Sequence, residues 1–276
     1  DPHAATIDQE EFSRVWFAPS MPDMNMQNPY LLRYFTQWAV WWIEWADLDS
    51  FRVDTFPYND KETMSQWCAN IRNEYPFFSI VGECWQGSAA SVSYWDGNKT
   101  NFDGYCSNLT SVMDFPFMNA IISSLRPSSS PDRNGVQGGQ RRAGGLNSVY
   151  DVIAQDYLYA NPSTILIFAS NHDTNRIADD FGGNPARIKL AMTILATVRG
   201  IPQIYYGDEI LARASKADRP GDGDKRIDFL GGWKEDEVSL FTEEGRSDEQ
   251  NDVFNHMAKL FNWRKTAEVI HNGKTM

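Results

Sequence analysis

Arg52 and Asp54 stand two residues apart in the string Ser50-Phe51-Arg52-Val53-Asp54, and that spacing is the first sign of chemistry in the chain. Residues two apart on a strand point to the same side, so a cation and a carboxylate would share one face near the strand's end. A buried charge is costly unless it is paired or used. Two further acids follow a similar pattern. Glu83 closes the apolar run "FFSIVGE", and Asp173, preceded by Asn171 and His172, follows "STILIFAS". Asp114, in "TSVMDF", stands at another such end. Two carboxyl groups flanking a scissile bond, one attacking and one protonated, are the equipment of a glycosidase, with a separation of about 5–5.5 Å for a retaining enzyme. A neighbouring arginine would hold the nucleophile ionised, and crowding by other acids would raise the pKa of the proton donor. A third acid with a histidine could hold sugar hydroxyls. Taken singly, Arg52–Asp54 reads as a structural ion pair, Glu83 as a cap or loop acid, and Asp173 or Thr174 as a helix cap. Their joint placement at strand ends is what favours a site.

The elements that would position these residues alternate. Helical apolar spacing with Pro29 in the first turn predicts a helix over 28–46. Further helices are expected over 61–75, ended by Pro76, after 115, over 146–159, over 184–200 with Gly200 as the stop, and over 247–267. Strands are expected at 50–54, 77–83, 110–115, 163–170 and 201–207. Five strands alternating with about five helices argue for parallel strands with helical crossovers. A doubly wound open sheet would want a Gly-rich phosphate turn after an early strand, and none is present. Polar clusters at successive strand ends suit a TIM-type (β/α)8 barrel instead. The Gly/Ser/Pro-rich stretch 126–145 reads as a polar loop.

Composition narrows the partners. A net charge of −12 argues against nucleic acid or an anionic membrane. No apolar run approaches the roughly 20 residues of a membrane span. The 10 Trp, 11 Tyr and 16 Phe include more flat faces than a core alone requires, which suits sugar rings. Three cysteines, Cys68, Cys84 and Cys106, fit neither a disulfide framework nor a zinc site. A metal site built from His172, Asp173, Asp54 and Glu83 lacks a second histidine at ligand spacing. The acid-rich stretch 218–228 could hold calcium but lacks the EF-hand order of ligands, so a solvated loop is expected there and no cofactor is required. The chain opens without Met or a signal-peptide core and stops just after a helix, as an excerpt of a longer protein would, so localisation stays open.

Several motifs, in order and spacing, resemble the α-amylase superfamily of glycoside hydrolases: "DSFRVDTF", "VGECW", "FASNHDTNR" and "GIPQIYYGDEI". With "MPDMN" and "RIDFLGGW", the chain looks most similar to the neopullulanase/cyclomaltodextrinase-type and maltogenic members. The resemblance implies a retaining α-glucan hydrolase acting on α-1,4-glucosidic bonds, with or without transglycosylation. It makes Asp54 the nucleophile, Glu83 the general acid/base and Asp173 the transition-state stabiliser. Arg52, His172, Asn171, Tyr58, Trp85, Arg226 and Asp228 become substrate-binding or positioning residues. It further implies a partial barrel of strands four to eight: residues 1–27 end the domain B excursion, 28–267 form the barrel part, and 268–276 begin a link to a C-terminal β-domain. Open barrel edges would permit self-association. A secreted, periplasmic or cell-envelope location is compatible with the family. Departures are Ser50 where glycine is usual, Tyr58 where many members have histidine, Ser170 in place of an aspartate, and the lack of an Asp-x-x-x-Asn-His motif before "MPDMN". A rival reading is a non-catalytic α-glucan-binding or accessory protein, or an inactive fragment. Retention of all three acids favours the enzyme.

Overall fold

The computed structural model describes residues 3–127, 145–216 and 220–273, so most of the polar loop expected at 126–145 lies outside the described residues. All five expected strands are present, shorter than their apolar runs: β1 (Ser50–Val53), β2 (Ser79–Gly82), β3 (Ser111–Val112), β4 (Leu166–Phe168) and β5 (Ile201–Gln203). The helices are α1 (Thr6–Ser13), α2 (Pro29–Ala46), α3 (Lys61–Glu74), α4 (Ala89–Ser93), α5 (Phe115–Leu125) and α6 (Asn147–Ile153). They continue with α7 (Ile177–Asp180), α8 (Pro185–Thr197), α9 (Asp222–Lys225), α10 (Asp248–Arg264) and α11 (Glu268–Asn272). The chain divides into two compact units, Asp1–Pro116 with Gln155–Leu166, and Phe117–Ala154 with Ile167–Met276.

In the first unit β1, β2 and β3 form a parallel sheet in that order, with Phe51 opposite Ile80 and Val53 opposite Gly82. A further parallel bridge joins Met113 to Leu166. Parallel pairing needs crossovers, and α3 supplies the one from β1 to β2. Its start is fixed by Asp60, whose carboxylate accepts from the Thr63 N–H at 3.0 Å and the Thr63 hydroxyl at 2.7 Å. Asn28 caps α2 in the same way, accepting from Tyr30 at 3.0 Å, and Pro29 takes the first helical position. Ala39 and Ile43 of α2, Cys68 and Ile71 of α3, and Ile80 of β2 share the buried core. The outward side of α2 is different: Tyr30, Tyr34, Trp38, Trp41 and Trp45 are exposed, and the Trp41 and Trp45 rings stack at 5.5 Å and 8°.

In the second unit β4 and β5 are hydrogen-bonded neighbours. Helix α8 ends at Thr197, before the Gly200 expected to stop it. The reason lies on α10. The buried Arg264 donates to the carbonyls of Ala196 (2.6 Å), Val198 (3.2 Å) and Gly200 (2.7 Å), satisfying the carbonyl groups at the end of α8 with a cation. A capping box of Ser247 and Gln250 starts α10.

Three local expectations change. The helix expected over 146–159 is α6 followed by a separate single turn, Asp156–Leu158, and the break falls where the chain passes between units. Within the stretch expected as a solvated loop, residues 222–225 form the turn α9, because the Asp224 carboxylate reaches back to the Gly221 N–H at 2.9 Å. Helix α1 had no apolar periodicity to announce it, and it buries no residue of its own.

Candidate active site

The first unit brings Arg52, Asp54 and Glu83 together. Arg52 lies on β1 and Asp54 immediately after it, and they share one side as their spacing required. Arg52 donates through Nη1 to Asp54 Oδ1 at 2.5 Å and through Nη2 to Glu83 Oε1 at 2.6 Å. One guanidinium fork thus spans both acids, the geometry for which arginine is suited. Asp54 also acts on Glu83 directly, as a hydrogen-bond partner and as a neighbouring charge.

Burial is distributed otherwise than the sequence suggested. The Asp54 side chain is 70% exposed, that of Arg52 32%, and that of Glu83 only 5%. β1 lies at the edge of its sheet, whereas β2 is flanked by β1 and β3. The acid that ends the central strand is therefore the one walled in. Burial pushes the Glu83 carboxyl up from its ordinary 4.5 to about 7. The Thr55 N–H and Arg52 oppose that rise, while the hydrogen bond and charge of Asp54 add to it. A carboxyl group that keeps its proton near neutral pH can donate it.

Local backbone serves this acid. Thr55 adopts φ 45°, unusual for a β-branched residue, and its N–H donates to Glu83 Oε2 at 2.9 Å. Glu83 N–H in turn donates to Val53 O at 2.9 Å. The residue before it must be glycine, since a Cβ on Gly82 would lie 2.5 Å from Leu109 Cδ1, a side chain with no exposure.

Two aromatic candidates belong to the same unit. Trp85 is 46% exposed and stacks on Phe115 at 4.7 Å and 14°, leaving it a supported flat face. Tyr58 packs against Phe12 (4.2 Å) and Phe17 (5.2 Å), and burial followed by the Glu83 charge raises its pKa.

The second unit gathers Asn171, His172, Asp173 and Arg226. Asn171 is buried, and its side-chain oxygen accepts the N–H groups of Asp173 (2.9 Å) and Thr174 (3.0 Å). It shapes the turn, while its amide nitrogen has no partner among the described residues. His172 Nε2 lies 3.0 Å from Asp173 Oδ2. Arg226 donates to Asp173 Oδ1 at 2.8 Å and to the His172 carbonyl at 3.1 Å. Asp228 is exposed, two residues beyond Arg226.

Three residues behind this turn were not singled out from sequence. Lys225 donates to the Asp173 carbonyl at 3.2 Å. Arg176, fully buried, donates to the Lys225 carbonyl at 2.8 Å and to the Tyr206 carbonyl, and lies over the rings of Tyr205 and Tyr206 at 4.1 and 4.7 Å. Asp208, also buried, stands 3.8 Å from Arg176 Nη1 and accepts from Ser170 at 2.5 Å. Burial raises the Asp208 carboxyl to about 7 against the pull of Ser170 and Arg176. Ser170, noted only as a departure from the family pattern, is thus a partner of this inner acid. Arg176 and Asp208 both stood within quoted motifs, but nothing in their spacing indicated that they meet.

Among the described residues no group of three or more His, Cys, Asp or Glu side chains could hold a metal ion. In the acid-rich stretch 218–228, Asp224 is engaged by Gly221, by the Ser215 hydroxyl (2.8 Å) and by Lys216 (3.6 Å), and Asp218 lies outside the described residues. No described helix is long and apolar enough to cross a membrane.

Residues 5–227 match the family model described as alpha amylase, catalytic domain. The chain is 28% identical over 277 residues to Alpha-amylase 3 of Dictyoglomus thermophilum, covering 94% of this chain and 50% of that protein. It is 26% identical over 260 residues to a cyclomaltodextrinase of Thermoanaerobacter pseudethanolicus, covering 94% of this chain and 38% of that one. A solved α-amylase from Geobacillus thermoleovorans, complexed with acarbose, superposes with a TM-score of 0.70 at 26% identity, over 96% of this chain and 51% of that one. The chain therefore spans about half or less of these relatives' own length.

Proposed function

The chain belongs to the α-amylase catalytic-domain family, whose fold is the TIM-type barrel, and on that footing we propose that it carries the acid pair of a retaining α-glucan hydrolase. The observation that carries this reading is the pairing of an exposed Asp54 with a buried Glu83 across one arginine fork. Asp54 attacks the anomeric carbon of a glucosyl unit and forms a glycosyl ester, while Glu83 gives its proton to the departing glycosidic oxygen. Glu83, then ionised, takes a proton from the water that releases the sugar. Arg52 keeps both carboxyl groups in register. Asp173, held by His172 and Arg226, is assigned the stabilisation of the oxocarbenium-like transition state. Trp85 offers a sugar platform, and Asn171, Tyr58 and Asp228 are assigned to the substrate-binding surroundings. The two carboxyl groups perform both steps, so the proposed chemistry requires no cofactor.

The substrate is an α-1,4-glucan, and the cyclomaltodextrinase relatives support a preference for short or cyclic ones. In the finer reading the five strands are the fourth to eighth of the barrel, with 1–27 ending an excursion before them and 268–276 leading onward. Among the described residues β1 has a strand neighbour on one side only, and this, with the exposed aromatic face of α2, supports an open edge there through which copies could associate. The test is Asp54→Asn in the protein that carries this chain, assayed on a maltooligosaccharide. Hydrolysis should fall by orders of magnitude with folding intact, since the amide is nearly isosteric but cannot form the ester. Activity within about tenfold of the unchanged protein would remove Asp54 from the nucleophile's role and leave a glucan-binding role as the alternative.

A further inference from the structure

Behind the turn that carries Asp173, the second unit buries Arg176 completely, and the guanidinium keeps its charge there because arginine does not release its proton. Its arrangement is not that of an ion pair built for stability. Asp208 Oδ1 stands 3.8 Å from Nη1, too far for a hydrogen bond, and Nη2 has no partner among the described residues. The fork is spent on backbone instead. Nε donates to the Lys225 carbonyl at 2.8 Å and Nη1 to the Tyr206 carbonyl. Tyr206, whose ring lies under the guanidinium at 4.7 Å, donates its hydroxyl to the Ile227 carbonyl at 2.5 Å. Segment 225–227 is thus fastened at both ends, by Arg176 and by Tyr206. Gly207, at φ 89°, admits the fork: a Cβ there would lie 3.3 Å from Arg176 Nη1 and 2.8 Å from Ala212 Cβ.

From this fastened segment three hydrogen bonds return to the turn. Lys225 Nζ donates to the Asp173 carbonyl at 3.2 Å, Arg226 Nε to the His172 carbonyl at 3.1 Å, and Arg226 Nη2 to Asp173 Oδ1 at 2.8 Å. Helix α9 is a four-residue turn that buries nothing, so its own packing does not hold Arg226 in place. Arg176 follows Asp173 by three positions, and the contacts close a ring: Asp173, Arg176, the Lys225 carbonyl, Arg226 and back to the Asp173 carboxylate. We propose that Arg176 is a positioning residue for Asp173, fixing its carboxylate through the 225–227 segment and the Arg226 side chain. The proposal rests on the hydrolase reading, since it is Asp173 as transition-state stabiliser that such a ring serves. A displacement of about 1 Å at a group that acts on the transition state is enough to cost about a hundredfold in rate.

The test is Arg176→Lys in the protein that carries this chain, which keeps the buried charge but offers one nitrogen where the fork uses two. On a maltooligosaccharide, kcat should fall about tenfold to a hundredfold while KM changes less than about twofold, because the carboxylate acts in the transition state. In an Asp173→Asn background the same change should lower the residual kcat by less than about twofold, since the group it positions is already gone. A readout independent of turnover is the Arg226 Nε–H in 15N-arginine-labelled protein, identified by its disappearance in Arg226→Lys. Its exchange with water should accelerate about tenfold or more in Arg176→Lys. Equal losses of kcat in both backgrounds, or an Arg226 Nε–H whose exchange is unchanged, would make Arg176 a packing residue and overturn the proposal. Arg176→Met combined with Asp208→Asn removes both buried charges together and is the variant to assay if Arg176→Lys does not fold. Loss of the fold in both would likewise make Arg176 a packing residue and overturn the proposal. If Asp173→Asn leaves hydrolysis unchanged while the Arg226 signal responds to Arg176→Lys, the ring stands and the hydrolase role of Asp173 falls. If Asp173→Asn slows hydrolysis and Arg176→Lys moves neither kcat nor the exchange, only the positioning proposal falls.

Discussion

Replacing Glu83 with glutamine tests the buried proton directly. The carboxyl is raised from 4.5 to about 7 in the folded chain, chiefly by burial. A group whose folded pKa is raised contributes stability that is fully present below its unfolded value and is lost as pH rises through the folded value. The unfolded chain releases this proton above pH 4.5 and the folded chain holds it until about pH 7, so stability falls with pH across that window and levels off above it. The full rise corresponds to at most about 3 kcal/mol. Glu83→Gln keeps the shape and can still accept the Thr55 N–H, but it has no proton to lose. Urea unfolding of both proteins, followed by tryptophan fluorescence from pH 4 to pH 8, isolates the contribution, because other titrating groups, Asp208 among them, are common to both. The difference in unfolding free energy between the original chain and the variant should fall by up to about 3 kcal/mol between pH 4.5 and 7. Two curves that run parallel through this window would mean that Glu83 is not held protonated by its surroundings, and the assignment of the proton donor would lose its physical basis.

Other consequences are local. Gly82→Ala should destabilise the first unit by about 1–3 kcal/mol in the same unfolding assay, because the added methyl meets the fully buried Leu109. Arg264→Met, which keeps the aliphatic stem but leaves the carbonyls of Ala196, Val198 and Gly200 without their donor, should cost about 2–3 kcal/mol. Amide exchange should accelerate first in the last turn of α8. Unchanged exchange there would dissociate Arg264 from the end of that helix.

The sequence by itself determined which residues could act and which elements would carry them. Strand side chains alternate, so the i, i+2 spacing of Arg52 and Asp54 predicted a shared face, and the 2.5 Å contact follows from that period alone. Apolar runs bounded by Gly, Pro and Asn located the five strands and the starts of α2, α3 and α8, because caps and prolines act within a few residues. What the sequence could not determine was depth. It marked Asp54 as the buried charge, and only the order of the sheet, with β2 in the middle and β1 at the edge, made Glu83 the buried acid and lifted its pKa. The inner cluster of Ser170, Arg176 and Asp208 was hidden for a similar reason. Its members are up to 38 positions apart, and no local periodicity records that a serine and an aspartate at that separation are hydrogen-bonded. Helix α1 and the cavity it lines with residues 57–62 also belong to tertiary structure, since eight residues without an apolar stripe enclose space only with the side chains they close against. Residue type and short-range spacing fix which groups a segment can present, whereas the dielectric around a group depends on segments distant in the chain, and that is decided only when they pack.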